Sequence, residues 1–424
     1  MMRKKFIIAV VLGLIVFAVS SLALSEIEKK QKGELYRKVE LFSDAIVIIQ
    51  TEYVDETKAQ DLIYGALKGM LSALDPHSQF MDPDTYNELK VDTEGKFGGL
   101  GIEITIKDGL LTVVTPIEGT PAWKVGVKSG DRIVKIDNDL TRDMALTDAV
   151  KRLRGKPGDP VNITVLRESE KKILEFRIVR DIIKIKDIKE ASILEDSIGY
   201  IRLVEFRENT PGDLQSALEG LKKEGMNALI LDLRNNPGGL LDTSVKVTDM
   251  FLPGGEIIVS TKGRRASQNL KFISRSPWAI VDLPMVVLIN EGSASGSEIV
   301  AAALQDNKRA IILGTKSFGK GSVQTIIPLN DGSAMRLTTS KYFTPSGKQI
   351  HGEGVIPDII VEDRMGFVDL GEQVREKSQE VFQQVENKEE EIKEKGKQDY
   401  KFDNQIMRAV DVLKAVKIYK EIVK

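Results

Sequence analysis

Apolar positions fall into stretches of different period along the chain. The first is continuous: FIIAVVLGLIVFAVSSLAL, Phe6 to Leu24, carries no charge and follows the basic stub MMRKK. A run of roughly 18 or more apolar residues is long enough to cross a bilayer. A basic stub before such a run marks a signal peptide or signal anchor. By the positive-inside rule Arg3, Lys4 and Lys5 stay cytoplasmic, so the rest of the chain is expected outside, in the periplasm or at the cell exterior. Ser21-Leu22-Ala23 offers a loose small-residue cleavage site.

Over residues 25–94 the period is helical, in LFSDAIVIIQTEYV and AQDLIYGALKGMLSAL, until two prolines in LDPHSQFMDPD break it. Over 95–181 short strands and turns take over: GLGIEITI, LLTVVTPI, GDRIVKIDN, VNITVLR and ILEFRIV. LTDAVKRLRG reads as a single helix among them, with Gly155 placed for its C-terminus. Over 182–363 strands alternate with helices. ALILDLR and MVVLIN are almost continuously apolar, as strands buried on both faces are. Each leads through a glycine-rich turn into a helical pattern, which predicts an α/β core. Over 364–424 the charged KSQEVFQQVENKEEEIKEKGKQ reads as a solvated helix or linker. NQIMRAVDVLKAVKIYKEIV follows with a helical apolar stripe, suited to its own domain or to a second copy. No internal repeat occurs.

Composition narrows the chemistry. At 424 residues the chain exceeds one compact domain. Its 42% hydrophobic and 29% charged content suits a globular protein with a core. A formal net charge of −2 gives no reason to expect nucleic acid as a partner. With no cysteine, disulfides, thiolate metal sites and a cysteine nucleophile are excluded. No metal cluster or cofactor motif stands in the sequence.

Three serines remain conspicuous in LINEGSASGSEIVAAAL, where a strand ends in a Gly/Ser cluster and a helix begins: Ser293, Ser295 and Ser297. A serine nucleophile needs a positioned base. The two histidines, His77 and His351, lie in loops far from one another in sequence. A lysine, neutral through burial, is the other option. Lys316 and Lys320 both lie in KSFGKGSVQ, with Gln324 four residues beyond Lys320 and able to direct a neutral amine. GTKSFGK imitates part of a phosphate-binding loop. However, position 321 is Gly where Ser or Thr should hold magnesium, and a strand follows instead of a helix. SFGK as S-x-x-K lacks its S-D-N and K-T-G companions.

LDLRNNPGG, GSASGSEIVAAAL and GTKSFGKGSVQ, in that order along the chain, resemble the C-terminal processing (tail-specific) peptidase family, serine peptidases with a Ser–Lys pair and an embedded PDZ domain. The resemblance runs from LDPHS to GVIPDI. It implies Ser295 as nucleophile, Lys320 as base because it falls at the family's spacing, and Gln324 as support. Gly296 stands where the family commonly has alanine. Ser295 would then open a helix, where backbone N–H groups are free for an oxyanion. Gly296 is one donor and Gly238 or Gly239 of NNPGG another, although NNPGG alone would read as an ordinary turn. Ser293 and Ser297 would cap or line the turn, and Glu298 would favour the helix N-terminus through the macrodipole.

FGGLGIEI resembles a PDZ carboxylate loop, with Gly99, Leu100, Gly101 and Ile102 around a peptide's C-terminus. Arg154 would couple tail binding to the active site, or simply face solvent. The fold expected is multidomain α+β: a crotonase/Clp-protease-like α/β peptidase core over 182–363, an inserted β-barrel-like PDZ domain over 95–181, and helical segments over 25–94 and 364–424, behind a signal segment over 1–24. The function expected is a membrane-associated extracytoplasmic endopeptidase acting near protein C-terminal tails, without cofactor. A homodimer through the terminal helices, an activating partner and membrane contact through residues 6–24 accompany it. A non-catalytic PDZ adaptor on a degenerate core is the alternative, against which the intact Ser295, Lys320 and Gln324 speak. A crotonase-like acyl-CoA enzyme is a third reading, against which the PDZ segment and export signal speak.

Overall fold

A computed structural model describes residues 34, 36–142, 144–277, 280–363 and 403–423. The expected signal segment and the charged 377–398 stretch lie outside them. The chain forms two compact units, residues 1–82 with 326–337, and residues 83–325 with 338–424.

In the first unit the helical periods form α1 (residues 36–52) and α2 (Ala59–Ser72). The proline-broken stretch is not only a turn. Asp75 caps it by accepting from the amides of His77 and Ser78, and β1 (Gln79–Met81) then pairs antiparallel with residues 334–336. Helical periodicity over 25–94 could not show this strand, because its partner lies some 250 residues downstream in the sequence. Phe80 and Met81 are buried, and Tyr64 packs on Phe80 with ring centroids 4.8 Å apart.

The second unit opens with α3 (Pro83–Glu94) and β2 (Lys96–Gly99). A barrel-like sheet follows: β3 (Ile102–Lys107), β4 (Leu110–Pro116), β5 (Arg132–Ile136), β6 (Asp139–Leu140), β7 (Pro160–Arg167) and β8 (Lys172–Val179). Its order is β3-β4-β5-β7-β8, with β6 beside β5, so β3 is an edge. Helices α4 (Pro121–Lys124) and α5 (Leu146–Leu153) cover it. Its own core gathers Val113, Ile133, Ile136, Ala149, Val161, Ile163 and Val165, all essentially without exposure. The helix α5 ends differently from expectation. Arg154 caps it in an extended conformation (φ −72°, ψ 162°), and Gly155 does not adopt positive φ. Glycine is required there for closeness: an added Cβ would lie 2.8 Å from the Arg180 guanidine. β9 (Asp181–Lys184) pairs with β2, so the chain enters and leaves this domain through one antiparallel ribbon.

The remaining elements are β10 (Ile188–Ile193), β11 (Ile198–Leu203), α6 (Thr210–Lys223), β12 (Ala228–Asp232), α7 (Leu241–Asp249), β13 (Ile257–Gly263), β14 (Lys271–Ile273), β15 (Met285–Ile289), α8 (Gly296–Asp306), β16 (Ile311–Gly314), β17 (Ser322–Pro328), β18 (Ala334–Phe343), β19 (Ile359–Ile360) and α9 (Asn404–Val423). The central sheet runs β10-β11-β12-β15-β16-β19, parallel from β11 onward. β12 and β15 are buried at every position, as their unbroken apolar runs require. Helices α6, α7 and α8 cover one face. The helix α9 covers the other through Ile406, Ala409, Val410 and Leu413. Its stripe therefore packs on its own domain.

A buried charge cluster fastens α9 at the C-terminal end of β12. Arg234 Nε donates to Asp232 Oδ1 (2.9 Å), Nη2 donates to Asp232 Oδ2 (2.6 Å), and Nη1 donates to Gln405 Oε1 (2.8 Å). Nη2 also lies 2.8 Å from Asp403 Oδ2. Tyr200 donates to Asp232 Oδ2 at 2.8 Å, and burial against that carboxylate pushes the Tyr200 hydroxyl far above its usual range. Removing the arginine strands two carboxylates in low dielectric. Arg234→Ala is expected to cost about 3–5 kcal/mol, read as a lower urea midpoint of the core, whereas Asp403→Asn, which keeps an acceptor, costs less.

Candidate active site

The strand β15 ends in a turn whose three serines the structure separates by role. Ser293 and Ser297 have no exposure and donate their hydroxyls to carbonyls, Ser293 to Leu233 (2.8 Å) and Ser297 to Asn236 (2.9 Å). They fasten the turn, as their expected lining role requires. Ser295 retains 8% exposure and holds φ 52° and ψ −108° immediately before α8. Such a conformation in a residue with a Cβ costs of order 1–3 kcal/mol and persists only where surrounding bonds enforce it. Its carbonyl accepts from the amides of Glu298 and Ile299 at 3.0 Å each, starting the helix. The Gly296 amide, first of the orphan donors at this helix start, has no acceptor among the described residues.

The NNPGG turn is not a free surface loop. Asn235 and Asn290 bond reciprocally: the Asn235 amide donates to Asn290 Oδ1 (2.8 Å), and Asn290 Nδ2 donates to Asn235 Oδ1 (3.1 Å). The Ala294 amide donates to the Asn236 carbonyl at 3.0 Å. Gly238 is thereby pressed against the nucleophile turn. A Cβ there would lie 2.7 Å from the Ala294 oxygen and 2.8 Å from the Ser295 Cβ, at φ +101°. The two glycines differ in what they can offer. The Gly238 amide donates to Asn236 Oδ1 (2.9 Å), whereas the Gly239 amide has no acceptor among the described residues.

The loop between β16 and β17 brings Lys320 to the same place, and Glu298 is the reason. This residue, with no exposure, accepts four hydrogen bonds. Oε1 receives Ser317 Oγ at 2.6 Å and the Gly319 amide at 2.7 Å. Oε2 receives the Ser295 amide at 2.8 Å and the Lys320 amide at 2.9 Å. One oxygen thus holds the backbones of both residues, so their nitrogens lie no farther apart than those two bonds together. The helix macrodipole favours an acid at this position, but the bonds reach well beyond its helix. Lys316 is exposed and Lys320 half-buried. Gln324 lies on β17 with its carboxamide between Ser322, to which Nε2 donates (3.0 Å), and Thr338, from which Oε1 accepts (3.1 Å).

Tyr342, on β18, is a further residue of this region that strand periodicity alone does not single out. Its amide donates to the Gly321 carbonyl (2.8 Å), and its buried side chain neighbours Ser295. Burial, opposed in part by Ser295, pushes its hydroxyl up to about 12, so it is protonated at neutral pH. His351 is exposed, with its backbone against Gly321. His77 belongs to the first unit, where its carbonyl accepts from Arg336 Nε at 3.2 Å.

A second concave feature lies between β3 and α5. It is a groove of about 200 Å³ lined by Phe97, Gly99, Leu100, Gly101, Ile102, Ile104, Val150, Leu153 and Arg154. Gly101 has φ +74°, and its carbonyl accepts from the Ile117 amide (2.8 Å), which turns the chain into β3. Arg154 is not splayed into solvent. It is half-buried, its guanidinium 4.5 Å above the Phe97 ring at the groove's wall.

Comparison with known proteins agrees with this anatomy. Residues 197–361 match peptidase family S41, residues 98–178 a PDZ domain, and residues 17–85 the N-terminal domain of the activating protease CtpB. The carboxy-terminal-processing protease of Bartonella bacilliformis is 43% identical across 98% of this chain and 96% of its own length. The carboxy-terminal processing protease CtpA of Bacillus subtilis is 34% identical across 77% of this chain and 69% of its own. A solved photosystem II D1 C-terminal processing protease aligns over 76% of this chain and 92% of its own, with 31% identity and a TM-score of 0.45. The chain belongs to the carboxy-terminal-processing proteases of peptidase family S41, with a PDZ domain preceding its peptidase core.

Proposed function

We propose that this protein is a serine endopeptidase that captures protein C-terminal tails on its PDZ groove and cleaves near them with Ser295 as nucleophile and Lys320 as base. The observation that carries the reading is the shared Glu298 oxygen, which holds the backbones of Ser295 and Lys320 together. Neutral Lys320 takes the Ser295 proton as Oγ attacks the scissile carbonyl. The resulting oxyanion is received by the free amides of Gly296 and Gly239, while Gly238 serves by its closeness instead of its N–H. The ammonium of Lys320 then protonates the leaving amine. Lys320, neutral again, takes a proton from the attacking water and returns it to Ser295 Oγ as the acyl C–O bond breaks, releasing the acid product and the free serine. Tyr342, protonated and beside Ser295, holds the hydroxyl's direction. Gln324, with its carboxamide engaged by Ser322 and Thr338, supports the strand that follows the Lys320 loop.

The edge position of β3 supports strand addition by a tail, with its carboxylate at Gly99, Leu100, Gly101 and Ile102 and its last side chain in the apolar groove. Arg154, at the groove wall, is suited to link tail binding to the rest of the unit. The apolar 6–24 segment after its basic stub supports membrane attachment with the enzyme on the extracytoplasmic face. The match of residues 17–85 to the N-terminal domain of an activating protease leaves room for a homodimer and for an activating partner.

The test is cleavage of an unstructured polypeptide with an apolar C-terminus, followed by mass spectrometry. Ser295→Ala is expected to abolish cleavage, and Lys320→Ala to lower kcat by about 10²–10⁴-fold with the fold intact by circular dichroism. Lys316→Ala, His77→Ala and His351→Ala stay active. Full activity in the Lys320 variant sinks the pair; tail binding by a parent that never cleaves favours the adaptor. Glu298→Gln separates positioning from binding. An amide presents a donor to two buried donors, each costing about 1–3 kcal/mol when unmet. The expected result is a lower kcat with tail affinity on the PDZ groove unchanged, measured by peptide titration.

A further inference from the structure

The peptide between Gly238 and Gly239 is oriented from outside the catalytic turn. The Phe206 amide donates to the Gly238 carbonyl at 2.9 Å, and the Leu240 amide donates to the Phe206 carbonyl at 2.8 Å. Asn236 Nδ2 donates to the Leu203 carbonyl at 2.9 Å. The stretch 203–206 is thus laced beside 236–240, with Phe206 and Gly239 in a parallel bridge. A trans peptide is planar, so its carbonyl and its N–H point opposite ways. With the Gly238 oxygen drawn to Phe206, the Gly239 N–H is aimed away from Phe206, where no acceptor among the described residues meets it. Glycine is required for this approach: at φ +142° a Cβ on Gly239 would lie 2.2 Å from the Phe206 oxygen.

The Phe206 side chain reaches the residue that carries the other free amide. Phe206 is 1% exposed, and a Cβ built on Gly296 would lie 3.2 Å from Phe206 Cδ2, 3.3 Å from the Ser244 Cβ and 3.5 Å from the Gly238 Cα. The ring edge, α7 and the NNPGG turn therefore close on the residue that follows Ser295. The segment carrying the ring is itself fixed through its next residue. The Arg207 amide donates to Thr210 Oγ1 at 2.8 Å, its Nε donates to the Asp92 carbonyl at 2.9 Å, and its Nη1 donates to Asp187 Oδ1. A phenyl ring neither titrates nor donates a hydrogen bond, so its contribution here is geometric. We propose that Phe206 is a positioning residue of the oxyanion hole: its backbone aims the Gly239 N–H and its ring holds the Gly296 N–H, so that both serve one oxyanion at Ser295. The proposal rests on the serine peptidase reading and adds to it what keeps the two donors in place. Donors act through preorganisation, and a misplacement of about 1 Å costs on the order of 10²-fold in rate.

The experiment uses the full-length chain in detergent, an unstructured polypeptide with an apolar C-terminus, and a short apolar peptide aldehyde. Ser295 Oγ adds to the aldehyde carbon, its proton passes to Lys320, and the carbonyl oxygen becomes an oxyanion, so the adduct reports on the same donors without cleavage. Phe206→Leu is expected to lower kcat by about 10–100-fold and to weaken aldehyde binding by the same factor, with KM and tail affinity on the PDZ groove unchanged. Gly296→Ala crowds the ring from the other side, at a position where alanine suits the helix start, and is expected to lower kcat and aldehyde affinity together. The two substitutions combined recover part of the loss, because the leucine leaves room for the added methyl. A folded Phe206→Leu protein with a lower urea midpoint but parental kcat and aldehyde affinity overturns the proposal, since the ring is then core packing alone. So do two substitutions whose effects simply multiply. If the leucine variant does not fold, Gly296→Ala decides: parallel losses support the proposal, and parental kcat and aldehyde affinity overturn it. A parent that neither cleaves nor binds the aldehyde sinks the peptidase reading, and the proposal with it.

Discussion

The buried carboxyl of Glu298 is the constraint on which the rest of the site depends. It lies at the third position of α8 and collects donors from two stretches of chain: the amide of Ser295 and the 317–320 loop. A strained backbone at Ser295 stays in place because its amide and its carbonyl are both committed, the first to Glu298 and the second to the helix start. The same group orders the loop that carries Lys320. Glycines permit this closeness. Gly319 has φ +92° and donates its amide to Glu298, and Gly321 packs so tightly on His351 that an added Cβ would lie 2.1 Å from its nitrogen. Two side chains carried on separate loops, as Ser295 and Lys320 are, hold a fixed mutual geometry only where such a point ties their backbones together.

Around that point the parallel sheet supplies rigidity. β12 and β15 run side by side, buried throughout, and both end at the site. Their two turns are joined by the Asn235–Asn290 pair and by the Asn236 carbonyl, which receives Ala294 and Ser297. On the opposite side of β12 the Asp232–Arg234–Asp403 cluster holds α9 to the sheet. One short segment, 232–239, therefore anchors the C-terminal helix through its first residues and packs Gly238 against the Ser295 turn through its last.

Much of this was legible in sequence wherever the information is local. The unbroken apolar runs of ALILDLR and MVVLIN gave buried parallel strands, and the Gly/Ser cluster marked the turn between β15 and α8. What escaped was carried by partners distant in the chain. Glu298 looks like an acid at a helix N-terminus because the atoms it binds, at 317, 319 and 320, lie beyond an intervening strand. Tyr342 looks like any strand aromatic. NNPGG has the composition of a common turn, and only the pairing of Asn235 with Asn290 distinguishes it. Gly155 matched a helix-end pattern but serves close packing against Arg180 and the Gly98 carbonyl. β1 was hidden because its pairing residues stand at 334–336.

The PDZ groove and the catalytic turn are separate features, yet the path between them in the second unit is short in covalent terms. The carboxylate loop follows directly from β2, and β2 is laddered to β9, which runs into β10 at the edge of the central sheet. Gly98, within β2, accepts the Gly155 amide through its carbonyl at 3.0 Å, so the end of α5 is tied to the same ribbon. Arg207, beside the Phe206–Gly239 bridge, donates to the Asp92 carbonyl at 2.9 Å, which ties α3 to the segment preceding the NNPGG turn. The end of α5 is joined to β2 through the Gly155 amide and through Arg154 stacked on Phe97. The groove is thus joined to the Phe206–Gly239 bridge by hydrogen-bonded backbone and not by a flexible linker.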